Sequence, residues 1–496
     1  MSDEIHTKKV LNVLFIASEA APLVKAGGLG DVAGALPAAI DNLNPSPRGA
    51  SVDIRLVIPY YNHIKASDIS VVPIRKFKVS TINGPVEAEL FETKLSGVVT
   101  YLVSGEPVSR SDVTYGSDSK ADAEKFVFFS LACLKIPSIL KWNCDILHAN
   151  DWHTAVAVHQ LRVASKNDAS LRTTRSLLTV HNLPFMGSGA DEALVKYKIK
   201  PSPDNNLPDW GKTQPLPMGL AAADHIVAVS PTYAREILTP EYGCDLQDFL
   251  KTRVGQLSGI LNGIDVKSWN PAADPAIKTN FDRDNLTARK ENKLALLNEF
   301  AFPAQSSVPL LVLISRMDRQ KGVDIVIEGL RNVKDLAWRA ILLGTGDRNL
   351  EQACRELEEE MPDKVRSSIQ FDVNLSRRMY AGADILLMPS RYEPCGLSQM
   401  YAMRYGCLPL ARATGGLADT ISDPHNSSKP TGFLFPNADA NSFTTALIRA
   451  LHLYKKPAQW EIMQSNAMAG DFSWAVSARN YLDLYTKLSN NSSFMR

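Results

Sequence analysis

Short, largely apolar, strand-like runs recur along this chain, at residues 10–17, 52–58, 98–103, 145–149, 176–180 and 225–229. In the second half they fall at residues 310–315, 339–343, 384–388 and 408–411. The first of them, residues 10–17, lacks the in–out alternation of a strand with one wet face and reads as a buried parallel strand. The intervening stretches carry a 3.6-residue period. After the first run, Val32, Ala35, Leu36, Ala39, Ile40 and Leu43 share one helical face. Strand and helix signals that alternate in this way predict an α/β protein with helices on both faces of its sheets. Ser230-Pro231 reads as a helix start, with a capping hydroxyl and Pro in the first turn. Gly432-Phe-Leu-Phe435 reads as a short strand or turn before a helix that begins near Asp439.

A chain of 496 residues is too long for one core, which sets an expectation of two or three domains. The break is placed near residues 259–274, where a strand-like segment gives way to Asn262-Gly-Ile-Asp265 and polar, Pro-containing sequence. The expected organisation is a Rossmann-like domain over 1–259 and a second over 260–473. The two would face each other across a deep cleft. A final helix over 474–496 would cross back to the first domain.

Composition narrows the function classes. Hydrophobic residues make up 45% and charged residues 22%, an ordinary globular balance. Lys plus Arg (54) nearly cancels Asp plus Glu (53), so neither a nucleic-acid surface nor a polybasic membrane contact is expected. Any anionic ligand must then be held by a local cluster. Six scattered cysteines with no C-x-x-C pair read as reduced thiols. The start of the chain is polar and no run has the length of a membrane span. These features predict a cytoplasmic protein. A plastid location would require that a transit segment has been removed.

Polar and Gly-rich clusters follow the strands, and ligands of open α/β sheets bind at the carboxyl ends of strands. Lys25-Ala-Gly-Gly-Leu-Gly-Asp31 lies between a strand and a helix, a setting that favours an anion, although a turn that binds nothing has the same sequence. Arg316 and Lys321 flank a turn before Gly322 and suit a diphosphate, or a solvated basic turn. Thr414-Gly-Gly-Leu417 is a second glycine junction. Glu393, fixed by Pro394, suits sugar hydroxyls, or an ion pair with Arg391 or another cation. His148, Asp151-Trp152-His153 and His181-Asn182 lack metal-ligand spacing, so no metal is expected. Asp151, Trp152, Asn182, Asn262 and Glu393 are residue types that recognise carbohydrate. A dehydrogenase would need G-x-G-x-x-G and a later acidic residue, which the loop at residues 27–30 does not provide.

Taken together and in order, these motifs resemble the bacterial glycogen synthase and plant starch synthase family of retaining glucosyltransferases, family GT5. The likeness runs over essentially the whole chain. It includes His148-Ala-Asn-Asp-Trp-His-Thr, Ala228-Val-Ser-Pro-Thr-Tyr, Leu343-Gly-Thr-Gly-Asp and Pro389-Ser-Arg-Tyr-Glu-Pro-Cys-Gly-Leu-Ser-Gln. The resemblance implies the two-lobed GT-B fold. It also implies transfer of glucose from a nucleotide-glucose to the nonreducing end of an α-1,4-glucan. ADP-glucose is the donor it implies, while UDP-glucose, or a noncatalytic glucan-binding scaffold, stands as an alternative.

By the same resemblance Arg316 and Lys321 neutralise the leaving diphosphate, with Lys25, Gly27, Gly28 and Asp31 nearby. Asp151, His181, Asn182, Asn262 and Glu393 line the glucose site, with the His181 backbone carbonyl facing the sugar. Gly415 and Gly416 present amides to the donor, flanked by Thr414 and by Cys395, Gly396 and Leu397. Phe371 stands where the family often has Tyr against the base. No cofactor, metal, nucleic acid or membrane partner is implied, and a homo-oligomer is left open. The chain departs from the family at Pro184-Phe-Met-Gly187, at Gly243-Cys-Asp-Leu246 and in a shortened segment at residues 110–116. Those departures bear on acceptor contacts and loop closure.

Overall fold

In the computed structural model, which describes residues 10–43, 51–110 and 112–490, the apolar runs become the strands of two sheets. Each sheet belongs to its own unit. The first unit runs to Gly263 and resumes at Trp474; the second is Ile264–Ser473.

The first sheet contains β1 (Val10–Ile16), β2 (Ser51–Pro59), β3 (Val72–Val79), β4 (Val86–Leu95) and β5 (Val98–Gly105). Its other strands are β6 (Ile146–Asn150), β7 (Arg175–Val180), β8 (His225–Ala228) and β9 (Leu257–Gly259). Their order is β3-β4-β5-β2-β1-β6-β7-β8-β9. From β5 to β9 every pairing is parallel. The run through β3, β4 and β5 is antiparallel, which departs from the all-parallel expectation. β3 escaped prediction because most of its residues are exposed and it has no buried stripe. β1 and β6 lie side by side where the strand order reverses. That switch point is where loops diverge and a ligand finds room.

The closing helix, Trp474–Asn490, packs against helix Gly28–Asp41. Its Ser477 Oγ donates to Leu261 O at 2.6 Å, while Ile264 N donates to Phe472 O at 2.8 Å. These two bonds fix the boundary after Gly263 rather than at 259.

The second sheet, all parallel, contains β10 (Leu310–Ile314), β11 (Arg339–Leu343), β12 (Val365–Ser368), β13 (Ile385–Met388), β14 (Leu408–Arg412) and β15 (Phe433–Phe435). Its order, β12-β11-β10-β13-β14-β15, reverses between β10 and β13. The entry to β13 is pinned by the buried Asp384, whose Oδ2 accepts from Lys293 Nζ at 2.6 Å and from Leu310 N at 2.8 Å. Helix Val323–Asn332 follows β10 and buries Val323, Ile325, Val326, Ile327 and Leu330, so the loop before it has a fixed base.

Candidate active site

In the first unit, the loop after β1 folds around a carboxylate. Glu19 is 1% exposed. Its Oε2 accepts from Ala26 N at 2.5 Å and Gly27 N at 3.0 Å, and its Oε1 accepts from the Tyr115 hydroxyl at 3.0 Å. A Cβ on Gly30 would stand 3.0 Å from Glu19 Oε2 and 3.2 Å from Lys25 Cα, so a side chain there would crowd the loop. The loop expected to favour an anion thus already holds one of its own, the Glu19 carboxylate. The amide of Gly27 already serves Glu19. Helix Gly28–Asp41 then starts without a side-chain cap. Lys25 Nζ lies 2.7 Å from Asp31 Oδ1, so Asp31 orients the lysine, which stays about half exposed.

The loops after β6 and β7 meet at Asp151. Its φ of +55° is a left-handed conformation rarely adopted by a residue with a side chain. There its Oδ1 accepts from His181 N at 2.7 Å and Asn182 N at 3.4 Å. Burial raises the Asp151 carboxyl to about 7, against the pull of those two amide donors. His181 Nε2 sits 2.9 Å from Asn150 Oδ1, and Asn150 Nδ2 donates to Ile16 O at 3.0 Å. Asn150 Oδ1 is therefore an acceptor, which puts the His181 proton on Nε2 and leaves Nδ1 with a lone pair. Burial lowers the imidazoles of His181 and His153 to about 3, so both are neutral at pH 7.

Among the buried polar atoms of this unit that lack a hydrogen-bond partner are Asn182 Oδ1, Asn262 Oδ1 and His153 Nδ1. Native interiors seldom leave such atoms unpaired, and the two asparagine oxygens are free to accept from a hydroxyl donor. His148 has a different role. It is fully buried between Tyr485 Oη (2.6 Å from Nδ1) and Thr179 Oγ1 (2.8 Å from Nε2), so it ties the sheet to the closing helix. Trp152 packs edge-on against Phe126, and a Cβ on Gly187 would come within 2.7 Å of its ring.

In the second unit, the loops after β10 and β13 meet at the switch point. Lys321 Nζ is 2.6 Å from Glu393 Oε2, which also accepts from Ser390 Oγ at 2.9 Å. Glu393 is 6% exposed. The alternative partner from sequence, Arg391, instead forms a fork on Asp324 at 2.9 and 2.7 Å. The short turn before Gly322 is capped by Asp318, whose Oδ1 accepts from Lys321 N at 3.0 Å. Asp318 Oδ2 also holds Arg316 Nη1 at 3.1 Å, and the Arg316 side chain is largely exposed. Gly322 has φ +68°, and a Cβ there would stand 2.4 Å from Pro389 O. The β10 loop can therefore lie directly on the β13 loop.

Gly415 and Gly416 close the same site for a steric reason. Their Cβ atoms would fall 1.9 Å from Glu393 O and 2.0 Å from Cys395 O. Gly416 N donates to Glu393 O at 3.1 Å. The expectation that Gly416 offers its amide to a ligand is corrected accordingly: the glycine pair seats the Glu393 loop. Thr414 is fully buried beside it. Cys395 is buried, Leu397 is half-buried and Gly396 has φ +72°. Gln399 Nε2 donates to Cys395 O (3.1 Å) and Gly396 O (3.0 Å), while its buried Oε1 has no partner. Phe371 stands apart after β12, 85% exposed, just before the helix cap Asp372.

The sequence reading missed Glu19, Tyr115, Ser390 and Gln399. Among the described residues no group of three or more His, Cys, Asp or Glu could hold a metal ion, and no helix is long and apolar enough to cross a membrane.

Residues 12–252 match the family model described as starch synthase catalytic domain, and residues 298–464 match glycosyl transferases group 1. The chain is similar to a glycogen synthase of Streptococcus sanguinis, 38% identical over 491 residues that cover 96% of this chain and all of the relative. A glycogen synthase of Streptococcus pneumoniae is 36% identical over 492 residues, with 97% and 100% covered. Among solved structures, the catalytic domain of starch synthase IV from Arabidopsis thaliana, bound to ADP and acarbose, superposes with a TM-score of 0.86 at 30% identity. That match covers 97% of this chain and all of that one. Sucrose-phosphate synthase from Thermosynechococcus elongatus shares the fold at a TM-score of 0.60 and 19% identity, with 97% and 100% covered.

Proposed function

The chain belongs to the glycogen and starch synthase family of GT-B glucosyltransferases, and on that premise we propose that it transfers glucose from ADP-glucose to the nonreducing end of an α-1,4-glucan with retention of configuration. The observation that carries this reading is the Lys321–Glu393 pair, 2.6 Å apart at the β10/β13 switch point. A cation held there by a buried carboxylate is already oriented when charge develops on a departing diphosphate, and that orientation is the source of electrostatic catalysis. Arg316, held on its own loop by Asp318, adds a second cation. Glu393 uses Oε2 for Lys321 and offers Oε1 to a glucose hydroxyl.

The first unit contributes sugar recognition. Asn182 Oδ1 and Asn262 Oδ1 lack donors and suit hydroxyl groups. Asp151 fixes the backbone at His181, whose carbonyl is proposed to face the oxocarbenium-like carbon as the glucose–phosphate bond lengthens. The acceptor 4-OH attacks from the face that the phosphate leaves, and a phosphate oxygen takes its proton. No metal takes part in this scheme, so turnover is expected to survive a chelator.

ADP as the leaving nucleotide is supported by the starch synthase IV likeness. The test is nucleotide release from ADP-glucose and from UDP-glucose, with and without a maltooligosaccharide primer. The reading expects primer-dependent ADP release with glucan lengthening. Faster UDP release would overturn the donor, and glucan binding with no nucleotide release would establish a scaffold instead.

A further inference from the structure

Lys125 lies on helix Ser119–Cys133 immediately before the run Phe126-Val-Phe-Phe129, and it is 1% exposed. A buried ammonium is costly unless every proton finds an acceptor. Here Nζ donates to Asp122 Oδ1 at 2.7 Å, to Thr114 O at 2.8 Å and, more weakly, to Val113 O at 3.5 Å. Asp122 Oδ2 in turn accepts from Gly116 N at 2.8 Å. The pair therefore grips the chain on both sides of Tyr115.

Tyr115 is the one residue between those grips, and its hydroxyl reaches Ser18 and Glu19, the residues just after β1. Its proton goes to Glu19 Oε1 at 3.0 Å, so the contact with Ser18 Oγ at 2.8 Å is donated by the serine. The ring stacks on His153, with centroids 4.9 Å apart. Beyond Tyr115, Glu19 holds the amides of Ala26 and Gly27 beside Lys25. A cavity of about 560 Å³ opens between these two loops, lined by Lys25, His63, Asp112 and Tyr115 among others.

We infer that Lys125 and Asp122 are positioning residues that set the 25–31 loop through Tyr115 and Glu19. The buried ion pair fixes residues 113–116, Tyr115 transmits that position, and Glu19 converts it into the geometry of the glycine loop and its lysine. The kinetic part of this inference rests on the glucosyltransferase reading; the structural part does not.

Two measurements on the full chain separate them. In hydrogen exchange, the amides of Ala26 and Gly27, both bonded to Glu19 Oε2, are expected to be protected in the unaltered chain. Lys125→Gln and Tyr115→Phe are each expected to raise their exchange at least about tenfold while helix Gly28–Asp41 stays protected. Tyr115→Phe removes a single oxygen from a partly exposed ring, so it answers the question even if Lys125→Gln fails to fold. In primed transfer from ADP-glucose, Tyr115→Phe is expected to lower kcat about 10- to 100-fold, the scale of a misplaced group, with KM altered no more than about twofold. The double variant should be no slower than the slower single variant, because both act on one path. Unchanged exchange at Ala26 and Gly27 in the Phe variant, or losses in kcat that multiply, would overturn the inference. If the unaltered chain releases no nucleotide from any nucleotide-glucose, the functional reading fails and the exchange result still decides the clamp.

Discussion

Replacing Lys321 by Ala separates two jobs that one side chain performs. The structure places Nζ 2.6 Å from Glu393 Oε2, with the carboxylate side chain 7% exposed and the lysine 19% exposed. Without the lysine, the carboxylate keeps only the Ser390 hydroxyl at 2.9 Å on that oxygen. Breaking a buried ion pair from one side costs about 3–5 kcal/mol, and the partial exposure of Lys321 points to the lower end, about 3 kcal/mol. The second unit has about 210 residues, so its melting temperature should fall by roughly 6–12 °C. Adding Glu393→Gln removes the stranded charge and should restore most of that loss. Turnover is expected to behave otherwise. Loss of a group that stabilises the leaving diphosphate costs about 100- to 1000-fold in kcat, in the single and the double variant alike. Thermal melts and primer-dependent ADP release would be measured side by side. A double variant that regains activity together with stability would show that Lys321 serves only to neutralise Glu393, and the leaving-group argument would fall.

Three further outcomes follow from the same geometry. Burial lowers His153 and His181 from 6.5 to about 3, so the unfolded chain binds protons there that the folded chain refuses, and stability should fall as pH drops below 6.5. Asp151 works the other way: raised from 3.8 to about 7, it costs stability above pH 7 and returns it as pH falls towards 4. Asp151→Asn should therefore steepen the acid loss in urea melts between pH 7 and pH 5, and a profile parallel to that of the unaltered chain would contradict the assignment. Gly416→Ala puts a Cβ 2.0 Å from Cys395 O, backbone that cannot swing aside, and should destabilise by about 3 kcal/mol; native-like melting would mean that the loop yields. Phe371→Ala, at a ring 85% exposed, should leave melting and kcat unchanged while KM for the nucleotide donor rises about tenfold, within a base-stacking range of ~1–3 kcal/mol. An unchanged KM would remove Phe371 from the donor site.

Parts of this architecture are legible in the sequence for a clear physical reason. A parallel strand covered on both faces must be largely apolar, so β1, β10 and β11 announce themselves as runs with at most one polar residue each. Edge strands are under no such demand. β3 lies in solvent with Arg75, Lys76 and Lys78, and β12 reads Val-Arg-Ser-Ser, so neither shows a pattern. The same contrast governs the site. Lys321 and Glu393 were legible because each follows a buried strand in a conspicuous polar cluster. The roles of the glycines were not. A Gly-Gly pair that offers amides and one that lets a neighbouring carbonyl come close have identical sequence, and only the approach of Cys395 O to Gly416 tells them apart. Glu19, directly after Ser18 at the end of β1, carried a faint signal. A lone carboxylate before a glycine loop can supply the anion that the loop would otherwise bind. Lys125 carried another, as a single charge beside Phe126-Val-Phe-Phe129.

The bond between Tyr485 and His148 has a consequence in the order of synthesis. The second unit is continuous in the chain and has all its residues once Ser473 is added, whereas the first must wait for helix Trp474–Asn490 although most of it emerges earlier. At about 5–20 residues per second, some 210 residues separate Gly263 from that helix by roughly 10–40 s. During that interval His148, at the centre of a nine-stranded sheet, lacks its tyrosine partner, and the nascent chain shows an open apolar seam along helix Gly28–Asp41. On the ribosome, the half of the molecule made first is the half finished last.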